Sequence, residues 1–231
     1  MHMISHGHDE NKGSKTYAVQ QEEKIGASTC ADCRIHGCWE EKPKKLPGNC
    51  PGRKKELLEY SLKEYQKSEN HRFFVTSSEI EKMGYGQWTR IRETIEFCKR
   101  MNYKKIGIAF CKGLREEAKV LVKIFRRHGF HVVAVMCKSG GVDKAQTGVG
   151  EEMKLHPGEF EAMCHPIFQA TLLNEQETDF NLAVGLCVGH DSLFYKYSRA
   201  MVTTVITKDR VLAHNPVGAL YCAESYYREK L

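Results

Sequence analysis

The chain has 231 residues, 41% of them hydrophobic and 28% charged, with a formal net charge of +6 and ten cysteines. That length accommodates one good-sized core or a core with a small appendage, and the composition is that of an ordinary soluble protein. No run of 18 apolar residues is present and the N-terminus lacks the apolar stretch of a secretory signal, so the reading is cytoplasmic, with cysteines kept for metal or catalysis rather than disulfides.

Residues 1–24 are polar, carry His2, His6 and His8, and read as a flexible tail. A Cys-rich segment follows at 25–52, broken by Pro43, Pro47, Gly48, Pro51 and Gly52. It is too short to bury a core, so a cross-link must order it, which points to metal. Its ligand set is Cys30, Cys33, Cys38 and Cys50, spaced Cys-x2-Cys-x4-Cys-x11-Cys-Pro, with His36 able to replace one thiol. Paired Cys-x2-Cys motifs would favour zinc. Here the second pair is missing and a proline follows the last cysteine, which favours an iron–sulfur cluster (4Fe-4S), with zinc as the alternative. A thioredoxin-type Cys-x2-Cys is disfavoured because no strand precedes Cys30. Residues 42–55 carry six Lys/Arg and no acid. Without interleaved aromatics they read as a solvated basic loop rather than a nucleic-acid surface.

Residues 53–103 form a helical region. Leu57, Leu58, Leu62 and Tyr65 predict a helix over 53–70, and "TSSE" at 76–79 predicts a second one starting in the late 70s. Trp88, Ile91, Ile95 and Cys98 then share one helical face, with Cys98 as a buried small hydrophobe.

From 104 to 231 the pattern is α/β. Strands are predicted at 104–111, 130–137, 180–187 and 201–214, the last turning into a hairpin through Lys208 and Asp209. Helices are predicted at 114–129 with Gly129 as C-cap, from Pro166, at 190–200 capped by Asp191 or Ser192, and from Pro216 to the end with Asn215 as cap. The fold class is an open, mostly parallel sheet with helices on both faces.

Three of these strands end in cysteine, Cys111, Cys137 and Cys187, and Cys164 stands just before a helix. Parallel strands would bring all four to the crevice where such folds bind ligands. Lys112 and Lys138 follow two of them, and His190 lies three residues after Cys187, so these three are candidate cofactor-binding residues. Positive charge and helix N-termini lower thiol pKa values and so favour the thiolate, which is both ligand and nucleophile. Cys222 reads as a core residue. No G-x-G-x-x-G follows a strand, and neither a P-loop nor H-E-x-x-H occurs, so no nucleotide cofactor is indicated.

The strings "CADCRIHGCW", "NCPG", "GYGQWTRIRETIEFCKRMNYKKIGIAFCKGL", "PGEFEAMCHPIFQATLLNEQETDFNLAVGLCVGHDSLFYKYS" and "VTTVITKDRVLAHNPVGALY" resemble a prokaryotic family of cysteine-rich proteins, common in anaerobes and methanogens and described as metal-binding. The resemblance spans about residues 28–222 and implies metal binding without a reaction. The family usually has Asn where this chain has His165.

Three expectations compete. The leading one is a cytoplasmic metal protein with an iron–sulfur cluster or other thiolate metal at both cysteine sets, acting in electron transfer or in sulfur or small-molecule chemistry. It would work with a redox partner or a small-molecule substrate, away from membranes. A zinc-stabilised α/β binding module without catalysis is the second. Nucleic-acid binding through 42–55 is the third.

Overall fold

A computed structural model describes residues 30–39 and 46–231. The expected tail at 1–24 and the basic residues 42–45 lie outside the described residues. The chain divides into two compact units, Met1–Gln66 and Lys67–Leu231.

The first unit holds two short 3-10 turns, Gly37–Trp39 and Pro51–Arg53, and helix α1 (Lys55–Gln66). Arg53 fastens the segment before α1, donating through Nε to Pro47 O at 2.8 Å and through Nη2 to Leu46 O at 2.6 Å.

The second unit begins with α2 (Ser68–Gly84) and α3 (Arg90–Arg100). The "TSSE" stretch is interior to α2 rather than its start. Ser77 and Ser78 direct their hydroxyls to the carbonyls of Phe73 and Phe74 four residues back, and Thr76 is buried. Thr89 caps α3, its Oγ1 accepting from Arg92 N. Strands β1 (Lys105–Phe110), β2 (His131–Met136), β3 (Phe180–Val184) and β4 (Val202–Ile206) alternate with α4 (Arg115–Arg127), α5 (Pro166–Glu175) and α6 (His190–Tyr197). All pairings are parallel and the order is β2-β1-β3-β4. The chain therefore moves outward from β1 to β2 and then crosses back past β1 to β3, which puts the switch point between the carboxyl ends of β1 and β3.

Strand alternation sorts the core into two layers. Ile106, Ile108, Leu182 and Val184 pack with Ile95 and Phe97 of α3 and Leu121 and Phe125 of α4. Ala109 and Ala183 face the other way, onto Ala170 and Leu173 of α5 and Phe194 of α6. The sheet thus has helices on both faces. Cys98 is fully buried in the first layer, as its helical face predicts. α4 ends in a Schellman motif: Gly129 has φ +87, its N–H bonds Arg126 O, and Phe130 N–H bonds Phe125 O at 3.2 Å while the two rings pack 5.6 Å apart.

Several C-terminal expectations are corrected. β4 does not turn into a hairpin, because Asp209 Oδ1 accepts from the N–H groups of Val211 and Leu212 and winds the chain into turns. The last helix is only α7 (Val217–Tyr221), with Pro216 rather than Asn215 as its N-cap. Cys222 follows it, half-buried rather than in the core. α6 is capped by Gly189, with Asp191 inside its first turn and no side-chain cap.

Candidate metal centre

Four cysteines converge beyond the carboxyl ends of the strands. Cys111 directly follows β1 and Cys137 directly follows β2. The ladder continues through them, with Cys111 N–H on Val184 O at 3.0 Å and Cys137 N–H on Phe110 O at 2.9 Å. Cys187 lies three residues past β3, after a turn at Gly185 whose φ is +59. A Cβ at Gly185 would stand 2.1 Å from Leu114 Cδ1, so both backbone and space require glycine there. Cys187 O then accepts from the N–H groups of His190 and Asp191, opening α6.

Cys164 is delivered by the long β2–α5 connection, which folds on a charged core. Lys154 reaches Asp143 at 3.2 Å, Glu151 at 2.6 Å and Glu159 O at 3.1 Å, while Lys144 pairs with Glu161. Asp143 also accepts from the N–H groups of Ala145 and Glu161. Met163 N–H on Val142 O and His165 N–H on Cys137 O, at 2.8 and 2.7 Å, then hold Cys164 beside Cys137. His165 caps α5, its Nδ1 accepting from Phe168 N–H at 3.3 Å, a task an asparagine side chain also performs.

The four cysteines meet in one narrow crevice, lined by Cys111, Cys137, Cys164, Cys187, Gln169 and His190, with Pro166 and Leu186 completing its wall. The donor atoms of Cys164, Cys187 and His190 all lie within 4.8 Å of one another. The Cys137 thiol interacts with both Cys111 and Cys164. Cys137 keeps its proton: that interaction, first with Cys111 and then with Cys164, together with burial, pushes its pKa up. Cys111 is held well below the ordinary thiol range, chiefly by the Cys137 thiol, then by Gly113 N–H and the Lys208 ammonium. Cys164 is lowered likewise, by Cys137 first and then by Lys138 and His190. Arg210 Nη2 donates to Cys187 Sγ at 3.1 Å. Cys111 and Cys164 are thus favoured as thiolates, each beside a cation.

The predicted cofactor-binding residues meet the site differently. His190 is among the converging donors. Lys112 acts through its backbone, its N–H on Cys137 Sγ at 3.3 Å while its side chain is exposed. Lys138 donates to Ala162 O beside Cys164. Lys208 and Arg210, absent from the sequence-based set, arrive from the turn after β4.

Gln169 is the other residue that sequence reasoning missed. It lies on the inner stripe of α5 with Pro166, Ala170 and Leu173, and it is fully buried. Its Nε2 donates to Val135 O at 2.8 Å and Phe110 O at 3.3 Å. Those acceptors fix the amide orientation, and Oε1 is left buried without a partner, as is His190 Nδ1. A glutamine on an apolar helical stripe was the available signal.

Residues 50–205 match the family described as a protein of unknown function, DUF1847. The chain belongs to this family. The DUF1847 match spans Cys50, every residue lining the strand-end crevice, and Lys112 and Lys138, while Lys208 and Arg210 fall beyond it. The chain is also similar to the uncharacterised protein MJ0455 of Methanocaldococcus jannaschii, 49% identical over 202 residues, covering 87% of this chain and 97% of that one.

The N-terminal cysteines of this DUF1847 protein share a second concavity of about 510 Å³, lined by Cys30, Cys33, Cys38, Cys50 and His36 among others. Turns present them: Cys33 N–H bonds Cys30 O at 3.1 Å, and Cys50 N–H bonds Pro47 O at 3.0 Å. Among the described residues, only Cys164, Cys187 and His190 bring three donors of the metal-ligating types within 4.8 Å.

Proposed function

We propose that this is a metal–thiolate protein whose strand-end donors Cys164, Cys187 and His190 hold a single ion of the zinc type, with one coordination position left for a small-molecule substrate. The observation that carries this is compactness. Three donors lie within 4.8 Å of one another, and bonds of roughly 2.0–2.3 Å to one tetrahedral ion set its ligands roughly 3.5–3.8 Å apart. Two thiolates and one imidazole are also the donor set of an open, catalytic type of site rather than a closed structural one. The ion would supply Lewis acidity. The chain's own residues do the rest. Arg210, Lys138 and Lys208 balance the thiolate charge, the β2–α5 connection holds Cys164 against Cys137, and Gln169 offers a buried acceptor. Cys30, Cys33, Cys38 and Cys50 form a structural site in this reading, and the protein works in the cytoplasm.

An iron–sulfur cluster is the second reading. It is favoured by four thiols lining one crevice and by donors resting on their sulfurs, Lys112 N–H on Cys137 and Arg210 on Cys187. Its chemistry would be electron transfer with a redox partner.

Metal and sulfide analysis of anaerobically purified protein separates the two. In the leading reading, Cys164→Ser and His190→Ala each lower bound metal by one equivalent, Cys33→Ser removes a different one, and acid-labile sulfide is absent. Brown protein that loses sulfide in Cys187→Ser selects the cluster. Full metal retention in the strand-end variants rejects both.

A further inference from the structure

We infer that Cys111 and Cys137 are a dithiol–disulfide exchange pair, an activity beyond the metal site proposed above and acting on disulfide substrates.

The placement comes from the sheet. β1 and β2 are paired in parallel register up to Phe110 opposite Met136, so the next residues, Cys111 and Cys137, face each other across adjacent strands. Neighbouring strands lie roughly 4.7–4.9 Å apart, inside the roughly 4.4–6.8 Å range of Cα separations that a disulfide spans. Cys137 N–H bonds Phe110 O at 2.9 Å, so the ladder holds the two strands together right up to the cysteines. Joining them therefore needs no change in strand pairing.

The two partners differ in access, as an exchange pair requires. Cys111 is half-buried, while Cys137 is 3% exposed. Beside Cys111 the chain has Gly113, where an added Cβ would meet nothing closer than Lys208 Nζ at 3.9 Å and Cys111 Sγ at 4.0 Å. No side chain at that position obstructs an incoming sulfur. Lys208 Nζ lies on the same side of Gly113 as Cys111 Sγ and supplies charge complementary to a departing thiolate. Neither cysteine belongs to the converging set Cys164, Cys187 and His190.

The reaction balances. Cys111 sulfur attacks a disulfide R–S–S–R, forming a Cys111–S–R bond and expelling RS⁻. Cys137 loses its proton to that thiolate and attacks Cys111 sulfur, expelling the second RS⁻. The protein is oxidised by two electrons to the Cys111–Cys137 disulfide and the substrate is reduced to two thiols.

The test treats the full-length, metal-loaded protein with oxidised glutathione under anaerobic conditions, followed by tryptic peptide mapping and metal analysis of the same samples. A disulfide joining peptide 106–112 to peptide 128–138 is expected, with two glutathione thiols released per disulfide formed. Cys137→Ser should instead accumulate glutathione on Cys111, and Cys111→Ser should give no adduct at Cys137. A stable glutathione adduct on wild-type Cys111 overturns the inference, as does pairing of Cys137 with Cys164 or the absence of any linked peptide. Metal content reports separately on the proposed strand-end ion, so exchange can fail while that reading stands.

Discussion

One side chain in two environments behaves in two ways. Cys98 sits among Ile95, Phe97 and Met101, where burial pushes its thiol up to about 12. Cys111, at the mouth of the sheet, is held low, by the Cys137 thiol first and then by Gly113 N–H and the Lys208 ammonium. Iodoacetamide should therefore alkylate Cys111 in metal-free native protein at pH 6 and spare Cys98. A lowered pKa leaves the thiolate present above it, so the rate should hold from pH 8 to pH 6, where an ordinary thiol is already protonated, and fall only at more acid pH as the solution passes through the lowered pKa. Lys208→Met should move that midpoint upward. Equal rates at the two positions would contradict this electrostatic picture. Gly185 carries a different residue-scale consequence. With φ +59 and Leu114 Cδ1 2.1 Å from any added Cβ, Gly185→Ala should lower unfolding stability by about 2–4 kcal/mol in urea titration. The strand-end cysteines were legible because they terminate β-rich runs. Gln169 and Arg210 were not, since a lone polar residue on a helix and a basic residue in a turn normally face water.

Elements were legible where the local code and the packing agree. α4 combines an amphipathic stripe with Gly129, and its Schellman ending follows from them. The start of α2 was missed because serine and threonine offer the same oxygen to a cap or to an i−4 carbonyl, and here packing of Thr76 and Ile80 chose the interior. The hairpin after β4 was missed because Asp209 closes a turn onto its own following backbone. Thr89→Ala removes a real cap and should cost about 1 kcal/mol, read from the urea midpoint. The β2–α5 connection owes its order to Lys154 between Asp143 and Glu151. Lys154→Met should loosen Cys164 and speed metal loss during dialysis, leaving α4 and its strands unaffected in hydrogen exchange. Unchanged metal retention would mean that the connection holds Cys164 by backbone contacts alone.

At the scale of the molecule, a four-stranded parallel sheet with its switch point between β1 and β3 gathers residues distant in sequence: Cys111, Cys137, Cys164, Cys187 and His190. That gathering follows from topology, which is why strand ends in the sequence were enough to foresee it. The choice between one ion and a cluster depends on donor spacing, which no sequence spacing encodes. Among the described residues no helix is long and apolar enough to cross a membrane. The two cysteine sets lie in different compact units, Cys30 to Cys50 in the first and Cys111 to Cys187 in the second. X-ray absorption at the metal edge, on a Cys30→Ser/Cys33→Ser/Cys38→Ser/Cys50→Ser variant that removes the N-terminal thiols and keeps the strand-end donors, tests the central claim most directly. One ion with sulfur neighbours at about 2.3 Å and a nitrogen neighbour at about 2.0–2.1 Å is expected. A metal–metal vector with bridging sulfide, or no bound metal at all, would contradict it.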